Sequence, residues 1–385
     1  MVNQFKYIAL FVALALCSCV SEFNAKLPES IEDVIIVEGS IVENTAAEFR
    51  FSKSFSLEED APPAGYNEVE VELYIIGSDN YRSEVAAYMG NGIHKIAVGE
   101  LDINVTYGIE FKYEGVVYRS TLSKPLSSPE IEDISYLQSD YNGPISFYIS
   151  TKGRNEEERY YLWNYDEDWE FTPYYRQTIF YDPDKKELYE DRSAPNYYCW
   201  RNRSGSYQVL IGATESLSEN RIVNKLLFER PSSDERFSVM YSINMKQQVI
   251  SKSAFEYYET KAKLSEEMGG LFTPQPSELI GNIYSVSNDS KKVIGYINVS
   301  KNISEKRLFI DRLNITREPE IPTCPTMSGS NPAAEMHAAG FLPIGQFDFM
   351  AQRIVVEFWT SPGCADCRAT GGSKVKPIFW PNEHQ

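Results

Sequence analysis

The apolar positions of this chain recur at a period of two over most of its length. From Val34 to about Pro125 the runs "VIIVEGSIV", "EFRFSKSF", "EVEVELYIIG", "IHKIAV" and "YGIEFKYEGVVYRS" alternate apolar with polar residues, separated by turn-rich pieces such as "EEDAPPAGY" and "GSDNY". Alternation of this kind turns one face of each strand to a core and the other to water. Short strands at this spacing predict a small sandwich of the immunoglobulin or transthyretin kind over residues 34–126. The serine- and proline-rich "SKPLSSPE", Ser123 to Glu130, is expected to link this sandwich to a second domain. From "IEDISYL" and "GPISFYIST" through "RYYLWNY", "YQVLIGA", "RFSVMYSINMKQQVIS" and "VIGYINVS" the strand pattern continues, predicting a larger β-rich domain over residues 127–385.

One stretch changes period. In "SAFEYYETKAKLSEEM", Ser253 to Met268, Ala254, Phe255, Tyr257, Tyr258, Leu264 and Met268 share one half of a helical wheel, and Glu256, Glu259, Lys263, Glu266 and Glu267 hold the other. Ser253 followed by Glu256 predicts a capping box, and Gly269 with Gly270 a stop. The expected fold class is therefore mainly β, a sandwich followed by a larger β-rich domain with one amphipathic helix that covers a sheet face.

The N-terminus sets the compartment. Lys6 precedes the apolar run Tyr7 to Leu16, about half the length that spans a bilayer and suited to a signal-peptide core. "LCSC", Leu16 to Cys19, resembles a bacterial lipobox: Ser18 is small and Leu16 apolar, so Cys19 is the expected lipidation site, whereas Cys17 would have Leu16 in the small position. Residues 1–18 then read as a lipoprotein signal peptide and 19–33 as a tether, giving a lipid-anchored chain without a transmembrane helix. Export accounts for Cys199, Cys324, Cys364 and Cys367, an even set in an oxidising compartment. Three pairings are open, and two long-range bridges that use Cys364 and Cys367 separately are expected, because a bridge between those two would close too small a loop to constrain the unfolded chain. Zinc is disfavoured, since the other two cysteines are isolated. The strand-like "VVEFWTSPGCADCR" carries a thioredoxin-like Cys-x-x-Cys, but the eighteen residues after Cys367 leave no room for the strands such a domain needs, so no redox enzyme is expected. With a formal charge of −18 the chain repels phosphate backbones, and nucleic acid is excluded as a partner.

No catalytic or metal constellation emerges, and no cofactor is expected. His94, His337 and His384 are scattered and are expected on the solvated surface. Carboxylates are too plentiful in an acidic chain to single out a pair. "YDEDWE", Tyr165 to Glu170, and "DPDKKE", Asp182 to Glu187, lack the glycine and ligand spacing of a calcium loop, and "YDPDKKELY" is explained as a hairpin turn. The informative bias is aromatic: fourteen of the forty-one residues from Tyr160 to Trp200 are Tyr, Trp or Phe. Neighbouring rings such as Tyr174 and Tyr175 cannot both face one core in a regular strand. Tyr174, Tyr175, Trp163 and Trp169 are therefore the candidate contacts for a ligand or partner.

"CWRN" at Cys199, "GGLFTPQPSELIGNIYS" from Gly269 to Ser285, "VIGYINVS" from Val293, the ending "CADCRATGGSKVKPIFW" and the early "IIVEGSIVEN" occur in this order. Together they resemble a Bacteroidota lipoprotein family catalogued as domain-of-unknown-function family 4249. The resemblance covers nearly the whole mature chain and implies an outer-membrane lipoprotein, on the cell-surface side, working with a TonB-dependent receptor; it implies no activity. It also implies that Arg368, Gly371, Gly372, Pro377, Phe379 and Trp380 form a structural clasp that docks Phe379 and Trp380. The stretch between Cys324 and Cys364 departs from the family pattern, and residues 325–361 are expected as a variable, exposed loop. A hydrolase of surface glycan or peptide, or a structural or adhesive surface protein, are the alternative classes.

Overall fold

A computed structural model of the chain describes residues 34–55, 62, 64–206, 208–267, 279–287, 292–318 and 323–381. The expected signal peptide, Cys17, Cys19, the tether 19–33 and His384 lie outside the described residues. The alternating runs become strands. Ile35–Val42 pairs antiparallel with Ala46–Lys53, setting Val37 opposite Phe51, and the apolar residues of both point the same way. That pair lies in a six-stranded sheet with Ile93–Ala97, Ala87–Tyr88, Val293–Gly295 and Asn298–Ser300. A four-stranded sheet of Ile283–Ser285, Val116–Ser120, Tyr107–Tyr113 and Glu72–Gly77 faces it. Phe49, Phe51, Leu73, Ile75, Ile109 and Phe111 fill the space between the two.

The sandwich expected over 34–126 thus takes three more strands from Ile283 to Ser300, two of them parallel to Ile35–Val42. These strands have three residues each, too few to show a period, and a parallel partner can lie any distance away in sequence. The connection Ser123–Glu130 is not a loose linker. Leu126 donates its N–H to Val299 O and accepts from Lys301 N–H, Ser128 Oγ accepts from Val249 N–H at 2.9 Å, and Gln247 Nε2 donates to Pro129 O at 2.9 Å. Each bond crosses to an element of one sandwich or the other, so the connection is held as firmly as a strand.

A second sandwich comes next in the chain. Its larger sheet has five strands, in which Tyr160–Phe171 lies between Met240–Val249 on one side and Cys199–Ser204 with Leu210–Ala213 on the other, and Ser304–Asp311 forms the far edge. The smaller sheet has three strands, Arg221–Arg230, Ile145–Lys152 and Ile131–Gln138. Phe147, Tyr161, Trp163, Tyr241, Ile243 and Met245 are among the residues of this core. The helix runs from Lys252 to Glu267 and touches both sandwiches: Phe255 packs on Tyr160, Tyr257 and Tyr258 pack on Tyr296, and Lys261 pairs with Glu38. Its cap is Ser251 rather than Ser253. Ser251 Oγ accepts from Ala254 N–H at 3.2 Å and its carbonyl from Phe255 N–H at 2.9 Å, while Ser253 Oγ bonds Tyr296 Oη at 2.7 Å. The serine two residues upstream satisfies the orphan donor first, so the expected capping box is not used.

The expected loop 325–361 is a folded unit. Thr326–Ser328 and Leu342–Asp348 both pair antiparallel with Arg353–Thr360, and the short helix Ala333–Ala338 lies between the first two. The expected turn at "YDPDKKELY" is the hairpin Ile179–Asp182 with Glu187–Glu190, which packs against Leu342–Asp348; Thr178 Oγ1 donates to Gly345 O at 3.4 Å. Three strands backed by a hairpin are enough to bury a face, which an isolated two-stranded hairpin is not.

Candidate functional site

The C-terminal segment assembles the site. After Arg353–Thr360 the chain turns through the helix Pro362–Ala365 and the 3-10 turn Cys367–Thr370, and the Cys-x-x-Cys is divided between two bridges. Cys199 joins Cys367 inside the second core, and Cys324 joins Cys364 in a half-buried position at its edge. Both sulfurs of the motif are bonded, so neither supplies the thiolate a redox nucleophile requires. Asp366 is held below the usual carboxylate range: burial alone would push it up, and two bonds from Arg368, with its charge, outweigh that. Gly372 fits where a Cβ would come within 2.6 Å of Cys199 Cβ and 2.7 Å of Phe171 Cζ. Ser373 and Trp200 exchange backbone bonds of 2.9 and 2.8 Å, Lys374 Nζ donates to Tyr198 O, and Trp380 Nε1 donates to Glu170 Oε2 at 3.2 Å. Of the clasp implied by the resemblance, Trp380 is docked and buried, whereas Phe379 is not docked as expected but stays half-exposed beneath Arg307.

Between the C-terminal segment and the second sandwich lies an open groove of about 510 Å³, lined by Pro173, Tyr174, Tyr197, Arg312, Cys324 and Cys364 among others. Tyr174 is 49% exposed and meets Tyr175 edge-on at 4.7 Å. Tyr175 is anchored: its ring stands edge-on to Phe358 at 4.8 Å and its N–H donates to Cys364 O at 2.8 Å. Glu235, the carboxylate at the rim, is held by Arg201 through two contacts of about 3 Å. The groove therefore offers a rigidly backed phenol ring and guanidinium groups, a surface for stacking and hydrogen bonding.

Of the four aromatic candidates only Tyr174 lines this groove, with Tyr175 packed against it. Trp163 and Trp169 are core residues: Trp163 is 1% exposed, stacks on Tyr161 and donates Nε1 to Gln247 Oε1 at 2.9 Å, and Trp169 is buried under Arg236. The odd-numbered positions of Tyr160–Phe171 all face inward, and the aromatics at 161, 163, 165, 169 and 171 follow that parity, a signal in the sequence that counting aromatics by composition passed over. Phe358 and Tyr197 were missed. The "VVEFWT" run carried a signal for Phe358, since a ring on a strand beside Cys364 had to pack on something.

The carboxylates of "YDEDWE" are held by cations of the fold. Asp166 pairs with Lys246 at 2.5 Å and Asp168 with Arg307 at 2.9 Å. Glu167, aimed into the core, meets Arg230 at 2.7 Å and accepts from Tyr241 Oη at 2.6 Å. Among the described residues no group of three or more His, Cys, Asp or Glu is placed to hold a metal ion. His94 is not on the surface as expected: it is fully buried, with Nε2 accepting from Val71 N–H at 3.1 Å and Nδ1 at 3.2 Å from Gly92 O. Burial pushes its pKa down, so it stays neutral and serves as a strut of the first sandwich. His337 is exposed beside Tyr181. No described helix is long and apolar enough to cross a membrane.

No curated protein matches the chain. The model of the family described as "Domain of unknown function (DUF4249)" matches residues 20–306, which takes in the first sandwich, the aromatic strand and the bridging helix. The chain belongs to that family.

Proposed function

We propose that this protein is a non-enzymatic lipoprotein, anchored through Cys19 to the outer membrane with its body on the cell surface, where it serves as an accessory partner of a TonB-dependent receptor and contributes to substrate capture. The lipobox-like "LCSC" supports the anchor and the two bridges support an oxidising compartment. Capture is carried by one observation: Tyr174 stands half-exposed at a groove lined by a disulfide and packs on Tyr175, whose ring is fixed from behind by Phe358. An exposed ring that loses little freedom on contact is a suitable binding anchor.

The test is a mild-detergent pull-down from native membranes, with recovered proteins identified by mass spectrometry. A receptor should co-purify with the wild-type chain, and Tyr174→Ala should lower its yield without lowering that of the bait. Recovery unaffected by Tyr174→Ala would remove the groove from the interface, and absence of any receptor would refute the partnership. Palmitate labelling lost in Cys19→Ala and kept in Cys17→Ala is the expected outcome for the anchor; equal labelling of both would refute it.

A further inference from the structure

The five-stranded sheet carries, on the face turned away from its core, a depression that shares no lining residue with the groove at Tyr174. Strand register sets Asn164 opposite Lys246 and Leu162 opposite Gln248, at even positions whose odd neighbours fill the second core. These side chains line a cleft of about 480 Å³, together with Gly39 and Ser40 of the first sandwich and Tyr258 of the helix. The cleft thus draws on both sandwiches, and junctions of this kind are where small-molecule sites preferentially form.

Its amides have bonding capacity to spare. Gln248 is only 7% exposed; its Nε2 donates to Ser300 Oγ at 2.7 Å, while its Oε1 has no hydrogen-bond partner among the described residues. Buried polar groups are otherwise matched, so an unused carbonyl on a side chain this deep, at the wall of a cleft, marks a place for a donor from outside. Asn164 Oδ1 accepts from Tyr165 N–H at 2.8 Å and Ser206 N–H at 2.7 Å, which orients the amide and leaves Nδ2 as a donor with no partner among the described residues. Lys246 is the one charged residue of the lining, and Asp166 neutralises it, so the cleft offers an ionic ligand no countercharge. Leu162, Ile303 and Tyr258 add apolar surface, and Tyr258 is held in place by the bond of its Oη with Asn298 Nδ2 at 3.1 Å. We propose that this cleft binds a neutral saccharide of one or two rings. A pyranose has an apolar C–H face and a rim of hydroxyls that both donate and accept, which matches apolar walls beside one free acceptor and one free donor.

The cleft needs neither anchor nor receptor, so it is tested on the mature chain carrying Cys19→Ala, exported behind a cleavable secretory signal. The probes are glucose, galactose, maltose and cellobiose at millimolar concentration, read by saturation-transfer NMR on their ring C–H protons, with glucuronate and glycylglycine for comparison. Binding of at least one neutral sugar is expected, together with a rise in the unfolding midpoint. Asn164→Asp keeps the acceptor for both backbone N–H groups and removes only the free donor, and it should weaken binding by about tenfold. Gln248→Met removes the free acceptor and should do the same; because it also drops the bond to Ser300, Asn164→Asp decides the matter if Gln248→Met unfolds. Val223→Ala, at an exposed position of the smaller sheet, should leave binding unchanged. Silence from all the neutral sugars, full binding by the folded variants, or an equal loss in Val223→Ala would each overturn the proposal. A stronger response to glucuronate would overturn the neutrality of the site, and a stronger response to glycylglycine would replace the saccharide with a peptide.

Discussion

Truncating Tyr174 and truncating Trp163 should have opposite consequences, although both rings belong to one aromatic run of the sequence. Trp163 is enclosed by the second core and its indole N–H is bonded to Gln247. Trp163→Ala removes a full buried ring, which costs about 3 to 5 kcal/mol, and strands the Gln247 carbonyl, which adds about 1 to 3 kcal/mol. Tyr174 is half in water already, and its removal forfeits one edge-on contact with Tyr175, about 1 kcal/mol. Tyr175 is not interchangeable with Tyr174, because its ring also packs on Phe358, so the single substitution is the informative one. Urea unfolding followed by tryptophan fluorescence should show a large fall in midpoint for Trp163→Ala and a shift close to the error of the method for Tyr174→Ala. Equal destabilisation by the two would show that Tyr174 is a core residue and that the groove has no displayed ring.

Removing the bridges in pairs should rank them by the chain each one closes. With separations of 168 and 40 residues, the loss of Cys199–Cys367 is worth about 5 kcal/mol and that of Cys324–Cys364 about 4 kcal/mol on the chain-entropy account; a reversed order in denaturant unfolding would refute it. Gly372→Ala should cost about 1 to 3 kcal/mol, because its new methyl meets Cys199 and Phe171, whereas Gly363→Ala, with only Thr370 at 3.6 Å, should be neutral; equal midpoints would mean the clasp is loosely seated. Stability should fall as pH drops through 6.5. Burial holds the folded His94 below that ordinary value, so the unfolded chain binds the proton first, and stability present above 6.5 is lost below it. His94→Gln, which keeps an acceptor for Val71 N–H, should flatten that limb, and an unchanged slope in ΔG against pH would refute the assignment. A second loss should set in below 4.5. Burial alone would raise the Glu110 carboxyl, but its bonds from Arg119 and Arg82 hold it below that value in the fold, and Glu110→Gln should remove this loss while leaving the upper limb intact.

Most strands of residues 34–126 were legible because they alternate over five or more residues, as in Ala46–Lys53 and Tyr107–Tyr113, whereas the two-residue Ala87–Tyr88 was not. Ile283–Ser285 and Val293–Gly295 were legible as apolar runs but not as members of the first sandwich, since three residues carry no register and their partners, Val116–Ser120 and Ile35–Val42, lie far upstream. The unit between Cys324 and Cys364 was missed for a different reason. Its strands hold Gly345, Pro343 and a register shift between Ile344 and Gly345, each of which weakens a strand signal. At the site, adjacency identified Tyr174, but composition alone could not separate it from Trp163, whose inward orientation follows from strand parity. The division of Cys364 and Cys367 between two bridges was legible from loop length; which partner each takes was not, because that depends on where the chain returns.

The parallel pairing of Ile35–Val42 with residues 293–300 also sets an order of events during biogenesis. A chain emerging N-terminus first would present Ile35–Val42 with one ladder edge open until about two hundred and fifty further residues had followed it. An exposed strand edge recruits other strands, so the nascent protein is most prone to aggregation in that interval and most dependent on a holdase chaperone. A fragment ending at residue 126 would carry the same open edge permanently. It should accumulate as aggregate, while a fragment ending after Asp311 would close both sandwiches.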